Sequence, residues 1–167
     1  AEMGNEVPDE PLMFLKPNTS VVGPGDPIFY PPQTQDLHYE GELAVVIGRI
    51  CRDVPPEQAT DVIHGYTIGN DVTARDLQTS DVQFTRAKGF DSFCPLGPWI
   101  ETADDIDDPH DLAMELRVNG GVRQTSPSGN IRVTIPEVGP HSSPPGYPPG
   151  RCLSAGHRAG GGGIDPL

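Results

Sequence analysis

The sequence predicts an α+β fold that is mostly β and forms one domain. Turn-forming residues are abundant, with 20 Gly and 20 Pro among 167 residues, which favours short strands joined by turns. The apolar run at 43–47 indicates a strand that is buried on both faces. Residues 112–124 alternate apolar and polar side chains around an Asn-Gly pair, which predicts a β-hairpin. A chain of this length can bury one substantial core.

The first half of the chain predicts strands around a short helix. Residues 14–32 alternate short β-prone pieces with Pro- and Gly-containing turns. A strand is predicted over 38–48. A helix then begins near Pro55, because proline is tolerated in a first turn, and ends near Gly65. Asp53 is placed to cap this helix.

The second half predicts two more strands before the hairpin. The stretch 65–78 starts as a strand and breaks at its Gly-Asn-Asp sequence. Residues 86–100 read as an aromatic-rich loop that runs into a strand. The hairpin at 112–124 follows, with its turn at Asn119-Gly120.

The C-terminal segment has a different composition. Residues 139–167 contain 8 Gly and 6 Pro, and no apolar periodicity runs through them. This predicts a disordered tail that follows a domain at 1–138. The chain starts at Ala1 rather than at a methionine, which suggests a fragment.

The charge of the chain argues against two classes of partner. Acidic residues outnumber basic ones and give a formal net charge of −13. Nucleic acids and anionic membrane surfaces would repel such a chain. No apolar run approaches the roughly 18 residues that a membrane span needs, so a soluble, cytoplasmic protein is expected.

Three carboxylates are candidates for a metal site. In a strand, His38, Glu40 and Glu42 would share one face because successive side chains alternate. Like charges that enter a core repel each other unless a cation lies between them. Asp71, at the predicted break of the next strand, would add a third oxygen ligand. Carboxylates without a thiolate favour Mg²⁺ or Mn²⁺.

Each candidate also has a simpler interpretation. Two glutamates at alternate strand positions are commonly a solvated face, and Asp71 could be a turn or capping residue. His38 is more typical of a surface or hydrogen-bonded histidine than of a ligand. Lys88 is a single cation in a small-residue loop and could lie on the surface. Arg75 and Gln78 are spaced to share one face of a helical turn. Spacing alone leaves the metal site open.

Four motifs occur in the order and spacing of a known family. They are FLKPNTS (14–20), HYEGELAVVIG (38–48), GYTIGNDVTARDLQ (65–78) and RAKGFDSFCPLGPW (86–99). Together they resemble the fumarylacetoacetate hydrolase family over residues 1–138, in particular its smaller branch of acylpyruvate hydrolases, isomerases and oxaloacetate decarboxylases. The resemblance implies a mixed β-sheet roll of the type of that family's C-terminal domain, incomplete in this chain.

The resemblance also implies roles for individual residues. The family's Glu-x-Glu pair and later aspartate bind Mg²⁺, Mn²⁺ or Ca²⁺, and they correspond to Glu40, Glu42 and Asp71. Lys88 corresponds to a catalytic cation. Glu2 corresponds to a glutamate on a mobile N-terminal lid, which activates water. The implied substrate-binding residues are Arg75 and Gln78.

The activity implied by the resemblance is metal-dependent cleavage, decarboxylation or isomerisation of a small 2-oxo or β-diketo acid. Acylpyruvates, fumarylpyruvate, oxaloacetate and 2-hydroxyhepta-2,4-diene-1,7-dioate belong to this substrate class, which includes intermediates of aromatic-compound catabolism. The family chemistry is an enolate, stabilised by the metal, that forms as the C–C bond breaks. The resemblance further implies that the intact protein is a homodimer.

The C-terminal segment departs from the family. Residues 149–162 read PGRCLSAGHRAGGG, where relatives have a Thr-Gly-Thr-Pro loop beside the active site. His157-Arg158 replaces Thr-Pro and Arg151-Cys152 replaces Asp-Val, as a shifted reading frame could produce. The histidine that assists the lid glutamate would precede the first residue. The alternative hypothesis is therefore a catalytically inactive fragment, or a remnant that binds intact subunits.

Overall fold

The computed structural model describes residues 13–52, 54–130 and 152–155, the last of these as backbone only. Glu2 and Asp53 lie outside the described residues, so their roles stay predictions. The described strands are β1 (Val21–Val22), β2 (Leu37–His38), β3 (Gly41–Ile47), β4 (Ile63–Asn70), β5 (Thr73–Ala74), β6 (Cys94–Thr102), β7 (Ala113–Val118), β8 (Gly121–Pro127) and β9 (Cys152–Ala155).

The helices are short. The α-helices are α1 (Arg75–Ser80) and α2 (Thr85–Lys88), and the 3-10 helices are Asn18–Ser20, Pro56–Val62, Ala103–Asp105 and Ser128–Asn130. The helix predicted after Pro55 is therefore present as a 3-10 helix. The loop predicted at 86–100 begins instead with helical residues, those of α2. In the described part of the chain, no helix is long and apolar enough to cross a membrane.

The main sheet has five strands in the order β1-β6-β4-β3-β9. β1 runs parallel to β6, and the other neighbours are antiparallel. Two further antiparallel pairs are formed by β2 with β5 and by β7 with β8. This arrangement confirms the predicted mixed, mostly β class.

Apolar side chains pack into two clusters that flank the start of β3 and the end of β4. The buried members of the first cluster are Leu43, Val45 and Tyr66. Those of the second cluster are Leu37, Val72, Ala74 and Phe93. Leu43 follows Glu42 directly, and Val72 follows Asp71. The two clusters therefore fix the backbone next to Glu42 and Asp71.

The strand predicted at 38–48 is interrupted. β2 ends at His38 and pairs with β5, whereas β3 begins at Gly41 and pairs with β4. The chain changes its partner strand across Tyr39 and Glu40. The expected strict alternation of side chains from His38 onward is therefore wrong, because the two ends of the segment belong to different sheets.

A strand also occurs in the segment for which the composition predicts disorder. β9 pairs antiparallel with β3 over Leu43–Val46, which are opposite Ala155 to Cys152. The pairing supplies backbone hydrogen bonds that composition does not reveal. The remainder of 139–167 lies outside the described residues, and the domain boundary at 138 stays a prediction.

The predicted hairpin is confirmed. Asn119 and Gly120 join β7 to β8 with φ angles of 52° and 78°. Positive φ at both central residues is the geometry of a type I′ turn, which explains the Asn-Gly sequence. Along β7 the side chains alternate between exposed and half-buried, as the alternating pattern predicts.

Gly65 lies in β4 close to the backbone of β6, and its substitution should destabilise the fold. A Cβ added there would lie 2.1 Å from the Glu101 carbonyl oxygen and 2.9 Å from Ile100 Cγ2. We expect Gly65→Ala to lower the free energy of unfolding by about 1–3 kcal/mol, because backbone must shift. The matched control is Gly121→Ala, whose Cβ would lie 3.5 Å from its nearest neighbour, the Val118 oxygen. If urea unfolding shows equal losses of unfolding free energy in the two variants, the close approach at Gly65 is contradicted.

Candidate metal centre

Pairing of β3 with β4 brings the three predicted acids together. Glu40 immediately precedes β3, Glu42 lies in it, and Asp71 immediately follows β4. The register places Gly41 opposite Asn70. The Asp71 N–H donates to the Glu40 carbonyl at 2.8 Å, and the Glu40 N–H donates to Asn70 Oδ1 at 3.0 Å. These two bonds hold Glu40 and Asp71 side by side.

The three carboxylates offer a compact set of oxygen donors. One oxygen from each of Glu40, Glu42 and Asp71 lies within 4.8 Å of the others. Oxygens on opposite sides of one ion are about 4.2 Å apart for Mg²⁺ and about 4.6–5.2 Å apart for Ca²⁺. Glu40 and Asp71 are buried and Glu42 is half-buried. The donor set therefore fits a hard divalent cation after small side-chain adjustments, and the ligand role stays a prediction.

Lys88 joins two of these acids. Its Nζ donates to Glu40 Oε2 and to Thr73 Oγ1, each at 2.8 Å, and also to Asp71 Oδ2. An ammonium group has three hydrogens, so these acceptors use all of them. The Lys88 side chain is 4% exposed, and Nζ lies 5.0 Å from the centroid of the Phe14 ring. The interpretation of Lys88 as a surface residue is therefore wrong.

Two further cations contact the acids. Arg75 Nη2 donates to Glu40 Oε1, and Nη1 donates to Gln78 Oε1, as their spacing on one helical turn predicts. Lys16 Nζ donates to Asp71 Oδ1. Arg75 Nε is buried and has no hydrogen-bond partner among the described residues. It is thus a donor that a ligand could use.

The ion pairs keep Glu40 charged. Burial acts to raise the pKa of Glu40, but the neighbouring Lys88 and Arg75 outweigh it, so the pKa lies below its usual value. Glu40 is therefore an anion at neutral pH. Buried ions are tolerated when they are paired and hydrogen-bonded. Glu40 and Asp71 meet this condition with Lys16, Arg75 and Lys88, and the five residues form one network.

His38 lies outside the network. Its Nε2 is 2.8 Å from Asp36 Oδ1, and its side chain is 13% exposed. This is the hydrogen-bonded histidine that was the simpler interpretation. Because the predicted strand is interrupted, strand alternation does not place His38 with Glu40 and Glu42.

The sequence patterns did not single out three residues that contact Asp71 or Lys88. Lys16 and Phe14 both belong to the FLKPNTS motif, but their contacts with Asp71 and Lys88 span more than fifty residues of chain. No local periodicity encodes such a contact. Thr73 is fully buried, and only its position two residues after Asp71 could have suggested it.

Comparison with known proteins assigns the chain to a family. Residues 1–165 match the family described as Fumarylacetoacetate (FAA) hydrolase C-terminal. The chain belongs to this family. The matched range extends past residue 138, where the resemblance inferred from the sequence ends.

Relatives with known names are enzymes. The chain is 43% identical over 140 residues to the oxaloacetate tautomerase YisK of Bacillus subtilis, covering 82% of this chain and 46% of that protein. The solved 5-carboxymethyl-2-hydroxymuconate delta-isomerase of Mycobacterium smegmatis matches with a TM-score of 0.89 and 48% identity, over 98% of this chain and 64% of that one. A maleylpyruvate hydrolase from Sphingobium sp. SYK-6, solved with manganese(II) and pyruvate, matches with a TM-score of 0.80 and 36% identity, over 90% and 55%. The chain spans about half the length of the curated relatives it matches.

Proposed function

We propose that the chain is the metal-binding core of an enzyme that forms an enolate from a small 2-oxo acid. The observation that carries this proposal is the buried cluster in which Lys88 donates to both Glu40 and Asp71, beside Glu42. The names of two relatives support the substrate class, since oxaloacetate and maleylpyruvate are both 2-oxo acids.

Glu40, Glu42 and Asp71 would hold the ion. Their oxygen-only donor set favours Mg²⁺ or Mn²⁺, with Ca²⁺ as a further choice. When bound, such an ion supplies Lewis-acid stabilisation of negative charge on the substrate's carbonyl oxygen. The manganese(II) and pyruvate in the solved maleylpyruvate hydrolase support this choice of ion and ligand.

The cationic side chains Lys88 and Arg75 would stabilise the developing charge and bind the substrate. Lys88 would donate to the oxygen on which charge develops, after that oxygen replaces one of its three present acceptors. Once that oxygen is bound, a buried ammonium held in place in this way stabilises the developing charge with little further reorganisation. Arg75 and Gln78 would bind the substrate carboxylate, for which a guanidinium is suited. Glu2 would activate water if the reaction is a hydrolysis.

The charge of the cluster favours an anionic substrate. Lys16, Arg75 and Lys88 already balance the three acids. A divalent ion would leave a net charge of about +2 in a buried site, which is unfavourable unless it is neutralised. A substrate that carries two negative charges, as a carboxylate and an enolate oxygen would, restores the balance.

The second candidate is a chain that binds the ion but does not turn over substrate. The sequence of residues 149–162, with His157-Arg158 where relatives have Thr-Pro, favours it. Both candidates predict the same metal centre. The choice of hydrolysis, decarboxylation or isomerisation and the preference for Mg²⁺ belong to the same proposal and are open to the same assays. The homodimer is also part of the proposal.

The candidates are separated by titrating the purified 167-residue chain with Mn²⁺ and by assaying its turnover with Mg²⁺ and with Mn²⁺. Conversion of enol to keto oxaloacetate, hydrolysis of acylpyruvates and decarboxylation of oxaloacetate can each be followed by ultraviolet absorbance. We expect turnover of at least one substrate, which EDTA abolishes. Ion binding without any turnover would favour the inactive candidate. Absence of ion binding would contradict both.

A further inference from the structure

Gln124 makes a two-way contact with the residue that separates the two glutamates. Its Oε1 accepts a hydrogen bond from the Gly41 N–H at 3.0 Å, and its Nε2 donates to the Gly41 carbonyl at 2.8 Å. Gln124 lies in β8, 83 residues along the chain, and is 4% exposed. One buried amide therefore binds both backbone polar groups of Gly41.

This contact takes the place of a neighbouring strand. Glu40 accepts its bond from Asp71 on the β4 side of β3, and successive residues of a strand direct their backbone groups to opposite sides. Gly41 therefore faces the other edge. There, in the described part of the chain, β9 pairs only with Leu43–Val46. Buried backbone groups without partners are costly, so Gln124 stabilises the backbone where β3 begins.

Glycine at position 41 permits this approach. An added Cβ would lie 3.3 Å from Gln124 Oε1 and 3.3 Å from Leu116 Cδ1. Both neighbours come from the hairpin of β7 and β8. The hairpin therefore packs directly against the peptide between Glu40 and Glu42.

We infer that Gln124 is a positioning residue for the metal centre. Its paired hydrogen bonds hold the peptide of Gly41, and with it the directions in which the side chains of Glu40 and Glu42 leave the backbone. The inference rests on the proposed metal-binding function. Groups that orient metal ligands from outside typically contribute about 10–100-fold to metal affinity.

The test is a Mn²⁺ titration of the full 167-residue chain, in which free Mn²⁺ is read by electron paramagnetic resonance. Gln124→Met keeps the side-chain length and removes both hydrogen bonds, and we expect about 10–100-fold weaker binding. The matched control is Met114→Ala, which removes packing of the same hairpin against the cluster of Leu43 and Val45. It should lower the melting temperature and leave Mn²⁺ affinity unchanged.

The outcomes separate this inference from the proposed function. A folded Gln124→Met chain that binds Mn²⁺ as tightly as the wild type overturns the positioning role alone. If that variant does not fold, Gln124→Asn keeps the amide but shortens its reach, and wild-type affinity in it has the same meaning. A wild-type chain that binds no Mn²⁺ overturns the proposed function together with this inference.

Discussion

Replacing Lys88 by methionine is expected to lower turnover by a factor on the order of 10²–10³, the usual cost of losing a preorganised charge stabiliser. Methionine keeps most of the length of the side chain but not its ammonium. Affinity for Mn²⁺ should not fall, because the change removes a positive charge beside Glu40 and Asp71. Steady-state kinetics at saturating Mn²⁺, on whichever substrate the chain turns over, measure the effect.

The matched control for this change is Arg86→Met. Arg86 lies two residues earlier in α2, its side chain is 58% exposed, and it pairs with Asp81. We expect near wild-type turnover from this variant. Circular dichroism must show that Lys88→Met is folded, since it leaves two buried acids with fewer partners. A folded Lys88→Met chain within about tenfold of wild-type turnover would contradict the role of Lys88.

Asp71→Asn is expected to weaken the binding of Mn²⁺ by at least about 100-fold, because affinity for hard cations depends on the number of charged oxygen ligands. Asparagine keeps the shape of the side chain and removes one negative charge. Isothermal titration calorimetry measures the change. Asp81→Asn removes the same charge from a residue that pairs with Arg86, so its affinity should stay that of the wild type.

An equal decrease in Mn²⁺ affinity in both aspartate variants would indicate a general effect of net charge rather than the loss of a ligand. Unchanged binding in Asp71→Asn would remove Asp71 from the proposed centre. A loss of Mn²⁺ affinity that is confined to Asp71→Asn would support Asp71 as a metal ligand.

The acids of the site were predictable because each lies at the end of a strand with a local signal. Glu40 and Glu42 precede the apolar run at 43–47, and Asp71 follows the glycine-containing end of β4. One antiparallel register is enough to bring them together. The spacing of Arg75 and Gln78 is likewise local, since residues three apart share a helix face.

The partners of these acids were not predictable, because they arrive from distant parts of the chain. Lys16 reaches Asp71 across 55 residues, and Gln124 reaches Gly41 across 83. Neither residue belongs to a periodic sequence pattern that predicts the contact. Such contacts depend on how loops and hairpins pack after the strands have formed.

The fold likewise has features that local sequence predicts and features that it does not. The buried run of β3 and the Asn119-Gly120 turn follow from local patterns, and both were predicted. The interruption at Tyr39 and Glu40 follows from a change of partner strand, and the strand β9 follows from pairing with β3. In both cases pairing with a distant strand decides the structure, and the local sequence pattern does not. Tertiary context has this effect on β-structure generally.

The central claim is that Glu40, Glu42 and Asp71 form one divalent-metal centre, and anomalous X-ray diffraction from crystals of the chain soaked in Mn²⁺ tests it most directly. The predicted result is a manganese peak between the three carboxylates, with oxygens of all three at about 2.0–2.6 Å, the range spanned by Mg²⁺ and Ca²⁺ sites. A soaked crystal that shows no peak there, with Glu40 and Asp71 still bonded to Lys88, would contradict the claim.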